Sequence, residues 1–242
     1  MAEGVAASPP PGRLQEIFDR LLARYGPQDW WPGDSPLEVA VGAILTQSAS
    51  WVNVDRALRN LETAGILSVR GLREVPEAAL ARLVFPAGYF NAKARKIKAF
   101  IAMLDAHFEG RMENLARASG DELRRILLTT HGVGPETADA IVLYAAGQPT
   151  FVIDAYTRRI FGRLNLVPAV DTYEAWRGMM MAGLRTDAEL FNEYHALLVR
   201  HGKDVCRKST PICDACPLLD LCPAGHMESL TAGQRVATLR AP

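Results

Sequence analysis

The four cysteines of this sequence all lie near its C-terminal end, within a stretch of 17 residues. They are Cys206, Cys213, Cys216 and Cys222, in the pattern Cys-x6-Cys-x2-Cys-x5-Cys. Clustered thiols in a chain without a secretory signal indicate a metal site rather than a disulfide framework, because thiolates favour zinc or iron–sulfur centres. Zinc ribbons use two Cys-x2-Cys pairs, and only one pair here has that spacing. The pattern therefore favours one iron–sulfur centre enclosed by a compact loop, with zinc as the alternative.

Apolar residues recur at helical spacing along most of the chain, and sustained alternation of apolar and polar residues is absent. Residues 13–25 place their apolar side chains on one stripe, and Pro36 opens a second, almost wholly apolar helix that is expected in the core. The same spacing predicts further helices at 51–64, 68–72, 76–83, 91–106, 112–118, 121–128, 135–146, 155–164, 172–183 and 187–201. So many short helices with brief connectors predict an all-α protein.

The composition and the two ends of the sequence limit the class of protein to which the chain can belong. The sequence has 242 residues, of which 49% are apolar, enough for one large domain or two closely packed lobes. Its apolar runs fall short of the roughly 20 residues of a membrane span, and its first residues lack the features of a secretory signal. We therefore expect a cytoplasmic protein with a flexible arm over residues 1–12 and a loosely ordered tail over residues 226–242.

The charges sum to zero, with 27 Lys and Arg against 27 Asp and Glu, which is mild evidence against a nucleic-acid-binding protein. Their distribution is uneven, however, and three local clusters are basic. These clusters are Lys93, Arg95, Lys96 and Lys98; Arg158, Arg159 and Arg163; and Arg200, Lys203, Arg207 and Lys208. A solvated face is the simplest interpretation of each cluster alone, but each lies beside one of the motifs that follow.

Residues 127–138 (LLTTHGVGPETA) predict two helices joined by a tight turn. Gly132 and Gly134 permit positive φ and close approach of another group, and Pro135 suits the first position of a helix. Backbone N–H groups at the start of that helix then point outwards, where they can hold a phosphate without a charged side chain. Taken alone, the motif is better explained as a plain interhelical turn.

A short apolar run that begins at Phe151 ends at Asp154, which precedes a predicted helix. Asp is a common N-cap, and spacing alone favours that structural role. A helix N-terminus also helps to keep a carboxylate ionised, because the helix dipole favours negative charge there. A structural role and a chemical role can therefore coexist in Asp154.

Taken together, these motifs resemble those of the endonuclease III-like, helix-hairpin-helix DNA glycosylases. The hairpin is similar to the family's L-x-G-V-G-x-x-T-A motif, although His131 stands where the family often has Pro. ILTQSAS (44–50) is similar to its L-L-x-Q-x motif, and AGYFNAKA (87–94) to its G-x-Y-x-x-K-A segment. The cysteine spacing resembles the family's [4Fe–4S] loop. The likeness keeps the same order from about Glu16 to Cys222.

The resemblance implies a two-lobed, all-α fold with a DNA cleft between the lobes. One lobe would be a helical barrel over residues 36–147 that ends in the hairpin. The second lobe would combine residues 13–35 with residues 148–225 and carry the cluster loop. The four cysteines would ligate a [4Fe–4S] cluster in this second lobe.

The resemblance also implies roles for individual residues. Asp154 would be the catalytic carboxylate, which stabilises the positive charge that develops on the deoxyribose as the base leaves. Gln47 would fill the gap left in the duplex by a flipped-out nucleotide, with an exposed polar residue at a helix end as the simpler alternative. The residues expected to contact DNA are Gln47, Lys93, Gly132, Val133, Gly134, Thr137 and Arg158.

One position departs from the bifunctional members of the family, which carry a lysine two residues after the second hairpin glycine. That lysine forms a Schiff base with the sugar and cleaves the strand. Here the position is Glu136, and a carboxylate cannot form an imine. We therefore expect a monofunctional glycosylase that uses water. Strand cleavage would need another lysine that reaches the sugar, and Lys203 is the candidate for this second catalytic residue.

Three features resemble the helix-hairpin-helix 3-methyladenine glycosylases, namely adjacent tryptophans before Pro32, Asp139 at a position where endonuclease III proper has no Asp, and the His-Gly-Lys sequence that ends at Lys203. Adjacent tryptophans suit a stacking site for a cationic alkylpurine, which is attracted to an aromatic face. Packing of the tryptophans between the lobes is an equally good explanation. The residues of the predicted base pocket are Trp30, Trp31, Glu136 and Asp139.

The sequence thus predicts a monomeric DNA-repair N-glycosylase at the nucleoid. It would flip a damaged base out of double-stranded DNA and hydrolyse the N-glycosidic bond, with alkylated purines slightly favoured over oxidised pyrimidines. One alternative is a bifunctional glycosylase and AP lyase that acts on oxidised pyrimidines through Lys203. Two others are a DNA-binding module with little chemistry, which leaves Asp154 unexplained, and an electron-transfer protein, which leaves the hairpin unexplained.

Overall fold

The protein was analysed as a computed structural model, which describes residues 9–30 and 33–225. Its α-helices in chain order are α1 (Arg13–Tyr25), α2 (Pro36–Leu45), α3 (Trp51–Thr63), α4 (Val69–Glu74), α5 (Glu77–Leu83), α6 (Phe90–Phe108), α7 (Gly120–Thr129), α8 (Pro135–Ala140), α9 (Ala155–Arg163), α10 (Tyr173–Ala182) and α11 (Ala188–Asp204). Short 3-10 helices lie at Phe85–Ala87, Met112–Arg117, Cys213–Ala215 and Leu219–Leu221, and a π-helical turn at Ile141–Ala145 extends α8.

The described residues contain no β-strand, which confirms the prediction of an all-α protein. Among these helices, none combines the length and the apolar character that a membrane crossing requires. The first eight residues of the predicted arm, and the whole of the predicted tail over residues 226–242, lie outside the described residues.

Side-chain caps explain where several helices begin. An oxygen atom of the residue before α2, α7, α9, α10 and α11 accepts a hydrogen bond from a backbone N–H group in the first turn of that helix. The first N–H groups of a helix have no partner inside the helix, and these side chains satisfy one or two of them. The capping residues are Ser35, Ser119, Asp154, Thr172 and Asp187.

At two positions where the sequence predicts a helix, the observed hydrogen-bonding pattern is not that of a continuous α-helix. The predicted helix at 112–118 is a 3-10 helix, Met112–Arg117. The predicted helix at 135–146 divides into α8 and the π-helical turn. Apolar periodicity indicates that a segment is helical, but the 3-10, α and π patterns differ by only one residue in hydrogen-bond spacing. The sequence pattern therefore did not resolve these local variants.

Two compact units are formed by the described residues. The central unit comprises residues 33–150, and the terminal unit comprises residues 9–30 together with residues 151–225. In the central unit, α2 packs against α3, α6, α8 and the π-helical turn, and only Pro36 and Glu38 of its residues are not buried. This position explains why the sequence of α2 is almost wholly apolar.

Aromatic side chains form the core of the terminal unit around Tyr194 of α11. The ring centroid of Tyr194 lies 5.3 Å from that of Phe18, 5.8 Å from that of Phe151 and 6.4 Å from that of Phe161, and each pair has edge-to-face geometry. The buried Tyr194 hydroxyl donates a hydrogen bond to the Leu14 carbonyl at 2.8 Å. Edge-to-face pairs add to the stabilisation from burial. These contacts fix α11 against α1, α9 and the segment that precedes α9.

Candidate active site and cysteine loop

The carboxylate of Asp154 is the N-cap of α9. Its Oδ1 atom accepts a hydrogen bond from the backbone N–H of Thr157 at 2.7 Å and a second from the Thr157 hydroxyl at 2.9 Å. The Asp154 side chain is only 13% exposed. The two hydrogen bonds orient the carboxylate and leave its Oδ2 atom outside the cap.

His195, which the sequence analysis did not select, faces the same carboxylate. It lies on α11, is 5% exposed, and its Nε2 atom lies 3.6 Å from Oδ2 of Asp154. Burial raises the pKa of Asp154, but the nearby His195 ring, with the hydrogen bonds from Thr157, outweighs burial and holds that pKa below its ordinary value. Asp154 is therefore an ionised and oriented anion at neutral pH. In the sequence, His195 stands in a largely apolar helix and belongs to no motif.

The predicted hairpin turn joins α7 and α8. Gly132 has a φ of 78°, in the left-handed region, whereas Gly134 is the N-cap of α8 with an ordinary φ of −92°. A Cβ atom at Gly132 would lie 2.3 Å from Cγ of Lys96, and one at Gly134 would meet nothing within 4 Å. The backbone and the Lys96 stem thus require glycine at 132. Glycine at 134 leaves an open surface at the start of α8.

The structure brings Gln47 and the hairpin together within the central unit. Nε2 of Gln47 donates to the Gly132 carbonyl at 3.0 Å and to the Thr137 hydroxyl at 2.9 Å. Oε1 of Gln47 accepts a hydrogen bond from Lys96. The side chains of Thr137 and Val133 are buried, so these two residues support the hairpin from inside. Gln47 is therefore a half-buried brace on the hairpin rather than an unattached polar residue at a helix end.

Lys93, which was predicted to contact DNA, is buried in the central unit. It is 1% exposed, and its Nζ donates to the carbonyls of Leu45 at 2.8 Å and Ala87 at 2.6 Å. Burial and the neighbouring Lys96 lower the pKa of Lys93. An ammonium group in this position joins the end of α2 to the turn before α6 and does not present its charge to a phosphate. The prediction that Lys93 contacts DNA conflicts with this placement.

The two acidic residues of α8 have different surroundings. Glu136 is exposed in the first turn of the helix. Asp139 is fully buried, where its Oδ1 accepts hydrogen bonds from Arg124 at 2.9 Å and from the Thr150 hydroxyl at 2.7 Å. Its Oδ2 atom accepts a further hydrogen bond from Arg124 at 3.2 Å. Because these contacts make Asp139 part of a buried ion pair, its placement conflicts with the prediction of a base-pocket residue.

Three predicted site residues remain to be placed, namely Trp30 and Trp31, which were predicted in the base pocket, and Arg158 of α9. Trp30 is half-buried in the terminal unit, and Trp31 lies outside the described residues. Arg158 forms an ion pair with the exposed Asp171, and its guanidinium lies 5.6 Å from the ring centroid of Trp176. Arg158 is thus held on the surface of the terminal unit, next to the helix end that carries Asp154.

Lys203, the candidate lysine for strand cleavage, lies apart from the Asp154–His195 pair. It is exposed in the last turn of α11. His195 stands two turns earlier on the same helix, a separation of about 12 Å along the helix axis at about 1.5 Å per residue. The structure therefore does not bring Lys203 to the candidate catalytic carboxylate.

The four cysteines, which were predicted to ligate a cluster, line one cavity in the terminal unit. Cys206 follows α11, Cys213 begins the first 3-10 helix of the loop and Cys216 follows it, and Cys222 follows the second 3-10 helix. None of the four forms a disulfide bond. Within residues 9–30 and 33–225, no three Cys, His, Asp or Glu side chains are placed to hold a single metal ion. The four thiols share the lining of one cavity, and such an arrangement fits a multi-atom cluster.

Hydrogen-bond donors approach the sulfur atoms from the surrounding backbone and from α9. Nη1 of Arg163 donates to Sγ of Cys206 at 3.1 Å, and the backbone N–H of Gly225 donates to Sγ of Cys222 at 3.3 Å. Arg163 also donates to the carbonyls of the two residues after Cys206, at 2.8 Å and 3.0 Å. Donors of this kind orient the sulfur atoms, as outer hydrogen bonds do for the ligands of metal sites.

Comparisons with known proteins identify relatives of the chain. Residues 41–184, which include Gln47, the hairpin and Asp154, match the family described as HhH-GPD superfamily base excision DNA repair protein. A provisionally named DNA repair glycosylase of Methanocaldococcus jannaschii is 41% identical over 211 residues, which cover 86% of this chain and 95% of that protein. The family match does not extend to the cysteine loop.

Two solved structures have a similar fold. The H. pylori 3-methyladenine DNA glycosylase bound to 1,N6-ethenoadenine is 25% identical with a TM-score of 0.68, over 78% of this chain and 95% of that chain. Endonuclease III in a non-covalent DNA complex is 22% identical with a TM-score of 0.76, over 89% of this chain and 96% of that chain. These likenesses agree with the all-α architecture of both units.

We predict opposite outcomes for alanine at the two hairpin glycines. Gly132→Ala should lower the free energy of unfolding by about 1–2 kcal/mol, because alanine must adopt the left-handed conformation and displace the Lys96 stem. Gly134→Ala is the matched control and should not lower it, because a Cβ atom there meets open space. Thermal melts of both variants test this, and equal melting temperatures would contradict the assigned hairpin geometry.

Proposed function

Because this chain belongs to the HhH-GPD superfamily of base excision DNA repair proteins, and is therefore a DNA repair glycosylase, we propose that it hydrolyses alkylated purines from double-stranded DNA without cleaving the strand. The observation that carries the proposal is the Asp154 carboxylate, which is oriented by Thr157 and faced by His195. We further propose that it acts as a monomer.

Asp154 supplies the chemistry that base release needs. When the bond between base and sugar breaks, positive charge develops on the deoxyribose, and a fixed anion stabilises that charge most when it needs no reorganisation. The cap hydrogen bonds to Thr157 provide this fixed orientation. The Oδ2 atom, which the cap does not use, is the one that can orient the attacking water.

Water, rather than an amine, is the nucleophile in this proposal. Residue 136, where bifunctional members have the lyase lysine, is a glutamate at the exposed start of α8. Lys203, the other candidate amine, is two helical turns from His195. If neither position supplies an amine to the sugar, the product is an intact strand with an abasic site. The competing proposal is a bifunctional enzyme that acts on oxidised pyrimidines through Lys203.

Charge and aromatic surface support alkylated purines as the substrate. Many alkylated purines are cationic, and cations are attracted to the faces of aromatic rings. Trp30 belongs to the same unit as Asp154, and the Glu136 carboxylate adds negative charge in the central unit. The H. pylori protein of similar fold is named a 3-methyladenine DNA glycosylase and is bound to 1,N6-ethenoadenine. These observations favour a purine that carries an added alkyl group.

The hairpin and Gln47 are proposed to hold the DNA. Enzymes that act on a base in duplex DNA must first flip it out of the stack. Gln47 is anchored to the hairpin by its contacts with Gly132 and Thr137, so it can occupy the vacated space with little loss of side-chain freedom. The open surface at Gly134 admits close approach of a phosphate, and Arg158 is proposed to bind a second phosphate.

The cysteine loop is proposed to hold a [4Fe–4S] cluster through Cys206, Cys213, Cys216 and Cys222. The enclosed arrangement of the four thiols and the donors to their sulfur atoms support this cofactor. A bound cluster would stabilise the loop that follows α11 and supply metal–thiolate bonds in place of a hydrophobic core. No step of base release requires it, since Asp154 and water perform that chemistry.

Asp154→Asn should abolish most base release while sparing DNA binding. Asn caps helices as well as Asp does, so the fold is preserved, but the anion is lost. We expect single-turnover release of 3-methyladenine from duplex DNA to fall about 100- to 10,000-fold, with an unchanged Kd for the same duplex. Asp187→Asn, at the N-cap of α11, is the matched control and should release base at the wild-type rate. An active Asp154→Asn enzyme would refute the mechanism.

Borohydride should trap no covalent adduct between the wild-type protein and duplex DNA that contains one abasic site, because residue 136 is a glutamate and Lys203 lies about 12 Å along α11 from His195. Gel electrophoresis after reduction measures the adduct, and a bifunctional glycosylase serves as the positive control. An adduct that disappears in Lys203→Ala but persists in Lys208→Ala would establish the bifunctional alternative instead.

Arg163→Met should reduce cluster retention, because it removes the donor to Cys206 and the contacts that hold the next two carbonyls. We expect the visible absorbance and the iron content per chain, about four atoms in the wild type, to fall in this variant. Arg158→Met, on the same helix but paired with Asp171, should retain the wild-type content. One zinc atom per chain in the wild type would overturn the cluster assignment.

A further inference from the structure

The two oxygen atoms of the Asp154 carboxylate have different surroundings. Oδ1 accepts both hydrogen bonds from Thr157, at 2.7 Å and 2.9 Å. Oδ2 makes no contact with the cap, and Nε2 of His195 approaches it to 3.6 Å. The cap alone would still allow Oδ2 to move by rotation of the carboxylate about the bond to Cβ. A second contact on the side of Oδ2 would remove that freedom.

Burial and aromatic packing hold His195 in place on α11. His195 is 5% exposed on a helix face that is otherwise largely apolar, next to Tyr194. Phe151, which begins the segment that leads into Asp154, packs edge-to-face on Tyr194 at 5.8 Å and on Phe191 at 5.6 Å. These aromatic contacts set the position of the segment before α9 against α11. They therefore set the position of Asp154 relative to His195.

We propose that His195 is a positioning residue for base release, which donates its Nε2–H to Oδ2 of Asp154 and holds the carboxylate in the orientation that faces the sugar. This inference rests on the proposed glycosylase function of Asp154. No bond forms or breaks at His195, and its proton stays on Nε2. The 3.6 Å distance is longer than a hydrogen bond, as is common for catalytic contacts without substrate, and it is expected to shorten when DNA is bound.

The balance of interactions around Asp154 agrees with this role. Burial raises the pKa of Asp154, and His195 from α11 and Thr157 from its own helix together lower that pKa below its ordinary value. These are the groups that face the carboxylate and shift its titration. Without His195, burial would act against the ionised form with only the Thr157 contacts to oppose it.

Two substitutions separate positioning from packing. His195→Gln keeps an N–H donor near the position of Nε2, and His195→Met fills a similar volume without a donor. We expect His195→Met to slow single-turnover release of 3-methyladenine about 10- to 100-fold, the range for loss of one hydrogen bond to a charged group, with an unchanged Kd for the duplex. His195→Gln should recover most of the rate. Circular dichroism melts check the fold, and His195→Leu replaces the methionine variant if that variant does not fold.

A second readout needs no substrate. In protein labelled at the aspartate carboxyl carbons, the Asp154 signal, assigned by its absence in Asp154→Asn, should titrate at higher pH in His195→Met than in the wild type. A wild-type rate in His195→Met, a glutamine variant as slow as the methionine variant, or an unchanged Asp154 titration would overturn the proposal. If the wild type releases no base, the proposed function fails, and the titration alone decides whether His195 pairs with Asp154.

Discussion

The hydrogen bonds from Thr157 to the Asp154 carboxylate are the interaction on which the candidate active site depends. They begin α9, and they also orient the carboxylate that is proposed to act in base release. At the opposite end of α9, Arg163 contacts a cysteine sulfur and the loop carbonyls, and Arg159 donates to the carbonyls of Gly202 and Cys206 at 2.9 Å each. One short helix thus supports the carboxylate at its N-terminus and the cysteine loop at its C-terminus.

The central unit uses buried polar side chains to hold irregular backbone in place. Lys93 binds two carbonyls where α2 ends and the turn before α6 begins, and the Asp139–Arg124 pair joins α8 to α7. Gln47 braces the hairpin through a carbonyl and a hydroxyl group. A buried charge is costly unless its hydrogen bonds are satisfied, and in each of these cases partners are present. The consequence is a hairpin whose shape is set by contacts within the central unit.

The proposed reaction follows from the charged residues at three positions of the chain. A carboxylate is oriented at Asp154, a carboxylate replaces the lyase amine at Glu136, and Lys203 is exposed at the far end of α11. A fixed anion suits stabilisation of a cationic sugar and attack by water. Glutamate at residue 136 and the position of Lys203 are the reasons why the proposed product is an abasic site in an intact strand.

The sequence by itself determined the features that depend on short stretches of chain. Helical periodicity located the helices, the cysteine spacing located the loop, and the position of Asp154 just before a predicted helix indicated its cap. Only the tertiary structure decided that His195 faces Asp154, that Lys93 is buried, and that Gln47 binds Thr137, 90 residues away. The physical reason is that capping and periodicity are set by neighbouring residues, whereas burial and side-chain pairing are set by the packing of helices that are distant in sequence.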